Sequence, residues 1–254
     1  MKTIFAILPC YNEQENIAAL MDAWLSQQEA LSEKGYSLQV IAIDDGSTDR
    51  TGAIIREREQ ECANVLSVSH AENRGLCGGV NTAIRFFITN GKPGDLMALM
   101  DGDNTHDPCY ILPMLEELVK GYDCVVASRY QPGAGVVGLF WGRAFLSDLA
   151  RIYYRFVLRV PHVQDYTCGY RVYTFEIMQK LADRYGENPV QEKTFACMME
   201  LLYKQHLVGA RFSEIPFTLR YDNKGGQSKM RVLSTMKSSL LAALKLRRKG
   251  GSTA

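Results

Sequence analysis

At 254 residues the chain is long enough for one large α/β domain with a sizeable core. Its 46% hydrophobic and 22% charged content is that of a soluble globular protein. With 29 basic and 28 acidic residues the net charge is +1, which gives no support for a general nucleic-acid binder. The seven cysteines are scattered and show no C-x-x-C spacing, which disfavours a disulfide framework and a zinc site and suggests a reducing compartment. No leader pattern precedes the first apolar strand, and no apolar run reaches the roughly 18 residues of a spanning helix. A cytoplasmic location is expected.

In the first half, apolar runs alternate with helical patterns. "KTIFAIL" reads as a first buried strand, and Glu13 to Gln28 as an amphipathic helix with Ile17, Leu20, Met21 and Trp24 on one face. "SLQVIAID" (Ser37 to Asp44) is a second strand, with a helix from about Ser47. "NVLSVSH" (Asn64 to His70) is a third, with a helix from about Leu76 to Thr89. "DLMALMD" is a fourth, with a helix after Pro108, and "DCVVAS" (Asp123 to Ser128) a fifth. This alternation predicts an α/β fold with a mostly parallel central sheet flanked by helices. Polar groups at the carboxyl ends of such strands converge on one ligand-binding edge.

The second half is less regular. "GAGVVGLFWG" (Gly133 to Gly142) is expected to be a mobile glycine-rich loop, followed by a helix bearing Arg143, Arg151, Arg155 and Arg159. "DYTCGYRVY" (Asp165 to Tyr173) reads as a loop entering a strand. Thr194 to His206 is expected to be a helix and Ala210 to Leu219 a last strand. After Tyr221, "DNKGGQSK" reads as a linker, and Met230 to Leu246 as an amphipathic helix ending in the basic "KLRRK". The predicted division is therefore 1–222 as one domain in two halves, 1–130 and 131–222, and 223–254 as linker, helix and basic tail.

Three polar clusters follow the first, second and fourth strands: "PCYNEQE", "DDGSTDRT" and "MDGDNTHDP". Each alone reads as an ordinary turn or cap, but together they would line a single crevice. The third is not an EF-hand, because the loop positions that need Gly and Glu hold His106 and Leu112. There is no P-loop, and "NRGLCGG" (Asn73 to Gly79) is not G-x-G-x-x-G, which disfavours a dinucleotide fold. Two hard oxygen ligands after a buried strand, Asp101 and Asp103, do suit a divalent cation on a nucleotide diphosphate, and Gly102 permits close backbone approach.

"LPCYNEQENI", "DDGSTDRT", "NRGLCGGVNTA", "MDGDNTHDP" and "ASRY" together resemble the inverting family 2 glycosyltransferases with a GT-A fold. The branch they are most similar to contains dolichol-phosphate mannose synthase and other polyprenyl-phosphate glycosyltransferases. The resemblance covers roughly residues 3 to 231 and includes "DYTCGYRVY" and the closing Gly226-x-Ser228-Lys229 segment. It implies that Pro9, Tyr11, Glu13, Asp44, Asp45 and Gly75 frame the donor nucleotide, with Asp101 and Gly102 at its diphosphate. Asp101 and Asp103 would bind Mg2+ or Mn2+, with Thr105 reaching the metal or its water. Arg129, Arg143, Ser228 and Lys229 would contact phosphates of donor and acceptor, and Asp103, Arg129 and Lys229 would be catalytic.

The resemblance further implies inverting transfer from GDP-mannose or a UDP-sugar to a polyprenyl phosphate. The C-terminal helix would touch the cytosolic face of a membrane. A hydroxyl acceptor would need a general base, and hydroxyl-directed relatives often place it in a Glu-Asp pair, which this chain lacks. The alternatives are a soluble transferase using Asp165 or Glu200 as base, and a catalytically silent nucleotide-sugar-binding module. Two departures concern the acceptor side: Asn223 stands where the branch carries a basic residue, and Cys168-Gly169-Tyr170 replaces Ser-Gly-Phe.

Overall fold

The computed structural model describes residues 1–138, 141–193, 196–223 and 232–251, and the side chains of 141–146, 223, 232–237 and 249–251 lie outside that description. The strands are β1 (Lys2–Cys10), β2 (Tyr36–Asp44), β3 (Val65–Ser69), β4 (Leu96–Leu99), β5 (Cys124–Ser128), β6 (Gly135–Val137), β7 (Arg171–Thr174), β8 (Phe212–Pro216) and β9 (Thr218–Arg220). The helices are α1 (Ile17–Leu25), α2 (Gln28–Glu33), α3 (Thr51–Glu61), α4 (Gly75–Asn90), α5 (Ile111–Val119), α6 (Trp141–Leu158), α7 (Phe175–Tyr185), α8 (Ala196–Leu207) and α9 (Val232–Gly251).

Seven strands form one sheet in the order β3-β2-β1-β4-β7-β5-β8. Strands β1 to β4 pair in parallel, and β5 pairs in parallel with β8. Helices cover both faces, so the central strands read as continuous apolar runs: every residue of β4 and β5 is buried, as are Ile4 to Leu8 of β1. Aromatic edges lock the helices onto the sheet. Phe87 of α4 meets Phe5 of β1 and Phe175 of α7, both at 5.6 Å between ring centres, and Trp24 of α1 is fully buried against Tyr170. Each such burial contributes about 1.5–3 kcal/mol.

All five strands predicted for the first half are present. The sheet is mostly parallel, as expected; strand β7 is its antiparallel member and lies between β4 and β5, antiparallel to both. An antiparallel strand begins where its parallel neighbours end. The loop before Arg171 is thereby delivered to the carboxyl edge of β4, with Leu99 opposite Arg171.

Three boundaries differ from expectation. The predicted glycine-rich loop contains β6, and the predicted last strand divides at Pro216–Phe217, so that β9 pairs with β6 in a separate two-stranded sheet. The first helix is shorter than expected and is followed by α2. Helix α7 is an addition, although its signals are present: Thr174 caps it by accepting from Ile177 N, and Gly186 ends it at φ +76°. The predicted linker and the Gly226-x-Ser228-Lys229 segment fall in 224–231, outside the described residues.

Candidate active site

Strand order reverses between β1 and β4: the chain moves outward through β2 and β3, then returns to the far side of β1. A crevice opens at the carboxyl ends of strands at such a point. Here the two strands deliver Pro9-Cys10 and Asp101-Gly102-Asp103. Gly102 N donates to Pro9 O at 3.3 Å, and a Cβ on Gly102 would meet Cys10 Cβ at 2.6 Å. Only glycine brings this turn so close to β1.

The loops after β1 and β2 are stapled together. Asn12 N donates to Ser47 Oγ at 2.9 Å, Thr48 N donates to Asn12 Oδ1 at 2.8 Å, and Glu13 N donates to Thr51 Oγ1 at 2.8 Å. Asp44 Oδ1 accepts from Ser47 N at 2.9 Å, and its carboxylate lies against Gly52. Asp45 Oδ1 accepts from Arg74 N at 2.9 Å and is 2.5 Å from His70 Nδ1, whose Nε2 is 2.9 Å from Thr82 Oγ1. His70 is a buried contributor that the sequence reading placed only as a strand end. Gly75 has φ +70° with open space beside it, so glycine is required there by backbone conformation. Tyr11 is exposed at the mouth of this region, and the first turns of α4 approach Pro9 so closely that a Cβ on Gly79 would lie 2.9 Å from Pro9 Cβ.

Gly46, in the loop after β2, lies against the loop after β3, with φ +69° and an added Cβ only 2.5 Å from the backbone carbon of Glu72. Gly46→Ala is expected to destabilise the protein by more than about 1 kcal/mol. It should also weaken nucleotide binding, because the 72–75 loop has to retreat. Thermal unfolding and nucleotide titration would measure the two effects.

Asp101 and Asp103 are half-buried at the crevice. The turn before β7 closes on them. A Cβ on Gly169 would meet the Asp101 carboxylate at 2.5–2.7 Å, so a bare glycine backbone faces that carboxylate. Asp103 Oδ1 accepts from Thr105 Oγ1 at 2.6 Å and from Thr105 N at 3.2 Å. Thr105, expected at the metal, is itself buried. Its neighbour His106 is buried and stacks on Phe217 at 5.3 Å; burial, only partly opposed by the Asp103 charge, takes its pKa down to about 4.

Two hard carboxylates cradled by Gly102 and Gly169 fit a divalent cation. Among the described residues no group of three or more His, Cys, Asp or Glu could hold one. The remaining ligands would therefore come from a diphosphate and water, which suits Mg2+ or Mn2+ carried on a nucleotide.

Arg129, directly after β5, forks onto Asp165. Nε donates to Oδ2 and Nη2 to Oδ1, both at 2.7 Å, and Nη2 also donates to Thr167 Oγ1 at 2.7 Å. Asp165 is fully buried and also accepts from the backbone N of Arg129, Thr167 and Cys168. Burial alone would push its carboxyl up, but the Arg129 charge and these hydrogen bonds hold it below the usual range. Glu200 is equally occupied: Oε2 accepts from Gln191 N and Glu192 N at 2.8 Å, and Oε1 pairs with Lys204 Nζ at 2.7 Å.

Arg143 lies on α6 with its side chain outside the described residues, where Ser228 and Lys229 also fall. A cavity of about 520 Å³ opens away from this site, beside β8, between Arg155, Arg159, His162 and Glu214. None of the predicted site residues lines it.

Residues 5–182 match the family described as Glycosyl transferase family 2. The chain is 28% identical over 225 residues to polyprenol monophosphomannose synthase of Mycolicibacterium smegmatis, covering 88% of this chain and 79% of the relative. It is 27% identical over 227 residues to undecaprenyl-phosphate mannosyltransferase of Micrococcus luteus, covering 89% and 87%. Against dolichol-phosphate mannosyltransferase of Pyrococcus furiosus it is 28% identical over 232 residues, covering 90% of this chain and 59% of the relative. The fold matches glucosyl-3-phosphoglycerate synthase of Mycobacterium tuberculosis, solved with Mn2+ and UDP, at TM-score 0.66 and 18% identity, over 97% of this chain and 80% of that one. The sheet and its flanking helices are thus a GT-A fold, and the chain belongs to glycosyl transferase family 2 and is a glycosyltransferase.

Proposed function

We propose that the chain transfers a sugar, with inversion, from a nucleoside-diphosphate sugar (GDP-mannose or a UDP-sugar) to a polyprenyl phosphate. The observation that carries the acceptor reading is the state of the two carboxylates available as a base. Asp165 is spent on the Arg129 guanidinium and backbone N–H groups, and Glu200 on two backbone N–H groups and a lysine. An acceptor oxygen that is already anionic needs no proton removed, and the mannosyltransferase relatives named above are consistent with such an acceptor.

In this reading Pro9, Tyr11, Glu13, Asp44, Asp45 and Gly75 frame the nucleotide, and Asp101 and Asp103 hold Mg2+ or Mn2+ at the diphosphate. The metal would offset charge developing on the leaving diphosphate. Arg129 holds the acceptor-side turn through Asp165, while Arg143, Ser228 and Lys229 contact phosphate. Residues 1–130 serve the donor, 131–222 the acceptor, and 223–254 attach the enzyme to its substrate's surface. Supporting that last role, Leu241 and Leu244 of α9 and Leu149, Ile152 and Phe156 of α6 are exposed. The two helices together carry eight Lys or Arg and one Asp, and exposed apolar side chains together with a cationic excess favour the interface of an anionic membrane. No helix among the described residues is long and apolar enough to cross one.

The test is to incubate the protein with labelled GDP-mannose, UDP-glucose or UDP-GlcNAc and a polyprenyl phosphate, with Mn2+ or Mg2+ and with EDTA. Metal-dependent label in the organic phase is the expected result. Turnover only with a water-soluble hydroxyl acceptor, or undiminished turnover in EDTA, would replace this reading.

A further inference from the structure

Behind Asp103 runs a hydrogen-bonded chain that the transfer reaction as described does not use. Thr105 Oγ1 donates its single hydrogen to Asp103 Oδ1 at 2.6 Å, because a carboxylate can only accept. Thr105 Oγ1 is also 3.1 Å from His106 Nδ1. With its own hydrogen committed, the hydroxyl must accept there, so Nδ1 carries the imidazole proton. Nε2 is then an acceptor, and it lies 3.6 Å from Cys168 Sγ, within reach of the thiol hydrogen.

Burial favours this arrangement at both groups. His106 and Cys168 are both buried, so neither exchanges these partners freely for water. The proton order is therefore single: Cys168 to His106, His106 to Thr105, Thr105 to Asp103. Stacking on Phe217 at 5.3 Å and an edge contact with Tyr170 at 6.1 Å fix the ring plane. At its far end Cys168 N donates to Asp165 Oδ1 at 3.0 Å, the carboxylate gripped by Arg129. The adjacent Gly169 faces Asp101. One turn, 165–169, thus touches both carboxylates of the Asp101-Gly102-Asp103 motif, directly at the first and through three side chains at the second.

We infer that His106 and Cys168 are positioning residues that hold Asp103 for the divalent cation and make metal affinity depend on the acceptor-side turn. This rests on the metal reading proposed above. An outer hydrogen bond of this kind fixes the direction of a ligating oxygen and its basicity, and removing one typically lowers metal affinity roughly 10- to 100-fold.

The experiment measures Mn2+ affinity from free-Mn2+ electron paramagnetic resonance, with GDP and with UDP, alongside thermal midpoints in EDTA. His106→Phe keeps a ring on Phe217 but donates nothing, whereas His106→Asn restores a donor near the Nδ1 position. Cys168→Ala removes the thiol hydrogen, whereas Cys168→Ser restores a donor with a shorter reach. The expected result is a 10- to 100-fold loss of Mn2+ affinity in His106→Phe and a smaller loss in Cys168→Ala. Substantial recovery in the Asn and Ser variants should not follow the EDTA midpoints. Unchanged affinity in His106→Phe and Cys168→Ala overturns the inference, and so does equal loss in all four variants. If the wild-type protein binds no Mn2+ with either nucleotide, the metal reading fails and takes this one with it.

Discussion

Replacing Asp103 with alanine is expected to lower sugar transfer roughly 10³-fold or more, equivalent to about 4 kcal/mol of transition-state stabilisation. The magnitude follows from the chemistry at the leaving group, where a divalent cation is worth several kcal/mol against developing diphosphate charge. The fold should survive. Asp103 is half-buried, and its loss deprives Thr105 of an acceptor, which costs about 1 kcal/mol and a fall of roughly 2–4 °C in the unfolding midpoint. Gly169→Ala probes the other carboxylate, because the new methyl group would press on Asp101 at 2.5–2.7 Å. It should reduce transfer by displacing that carboxylate. Initial rates at saturating donor, with unfolding curves for each variant, check both; full activity in Asp103→Ala would remove the metal role.

Asp165→Ala should have the largest effect on stability. It leaves the Arg129 guanidinium and the backbone N–H groups of Thr167 and Cys168 without their buried acceptor. Breaking one side of a buried ion pair costs about 3–5 kcal/mol, which corresponds to roughly 10 °C in midpoint for a chain of this size. The paired replacement Arg129→Met with Asp165→Leu should recover part of that stability, since no unpaired charge remains, although the backbone N–H groups still lack their acceptor.

The pair also sets an acid limit. The folded carboxyl of Asp165 lies below its unfolded value of about 3.9. Its contribution to stability is therefore complete above that value and disappears as pH falls through the lower folded one. In the paired variant this part of the acid denaturation profile should flatten. A wild-type-like acid limb in the paired variant would show that the pair does not set it.

The first half of the chain was largely readable from residue order. A buried strand followed at once by clustered Asp, Gly and Thr can end only at a polar edge, and β1, β2 and β4 do so at the reversal of strand order. Even there, much of "DDGSTDRT" has a mundane part: Thr48 and Thr51 staple the loop to the one after β1. Helix α7 was readable too, from Thr174, its buried Phe175, Ile177, Met178 and Leu181, and Gly186. It was overlooked because the strand before it has only four residues.

His106 entered the sequence argument only as a residue that spoils a calcium loop, and Cys168 only as a departure from a pattern. Their contact joins positions 62 residues apart. Local propensity is blind to such separations. Likewise, the sequence offers Asp165 only as one of two possible bases in the alternative reading, and its pairing with Arg129 appears only in the fold.

The sequence by itself therefore determined the fold class, the parallel first half and the placing of Asp101 and Asp103 just after the buried strand β4, because periodicity and strand-end polarity are local and carry one physical meaning. The antiparallel insertion of β7 was decided only by the tertiary structure. So were the pairing of Arg129 with Asp165 and the route from Cys168 to Asp103. A four-residue strand takes its place and direction from the apolar surface it buries between β4 and β5, and that surface exists only once the rest of the sheet has formed.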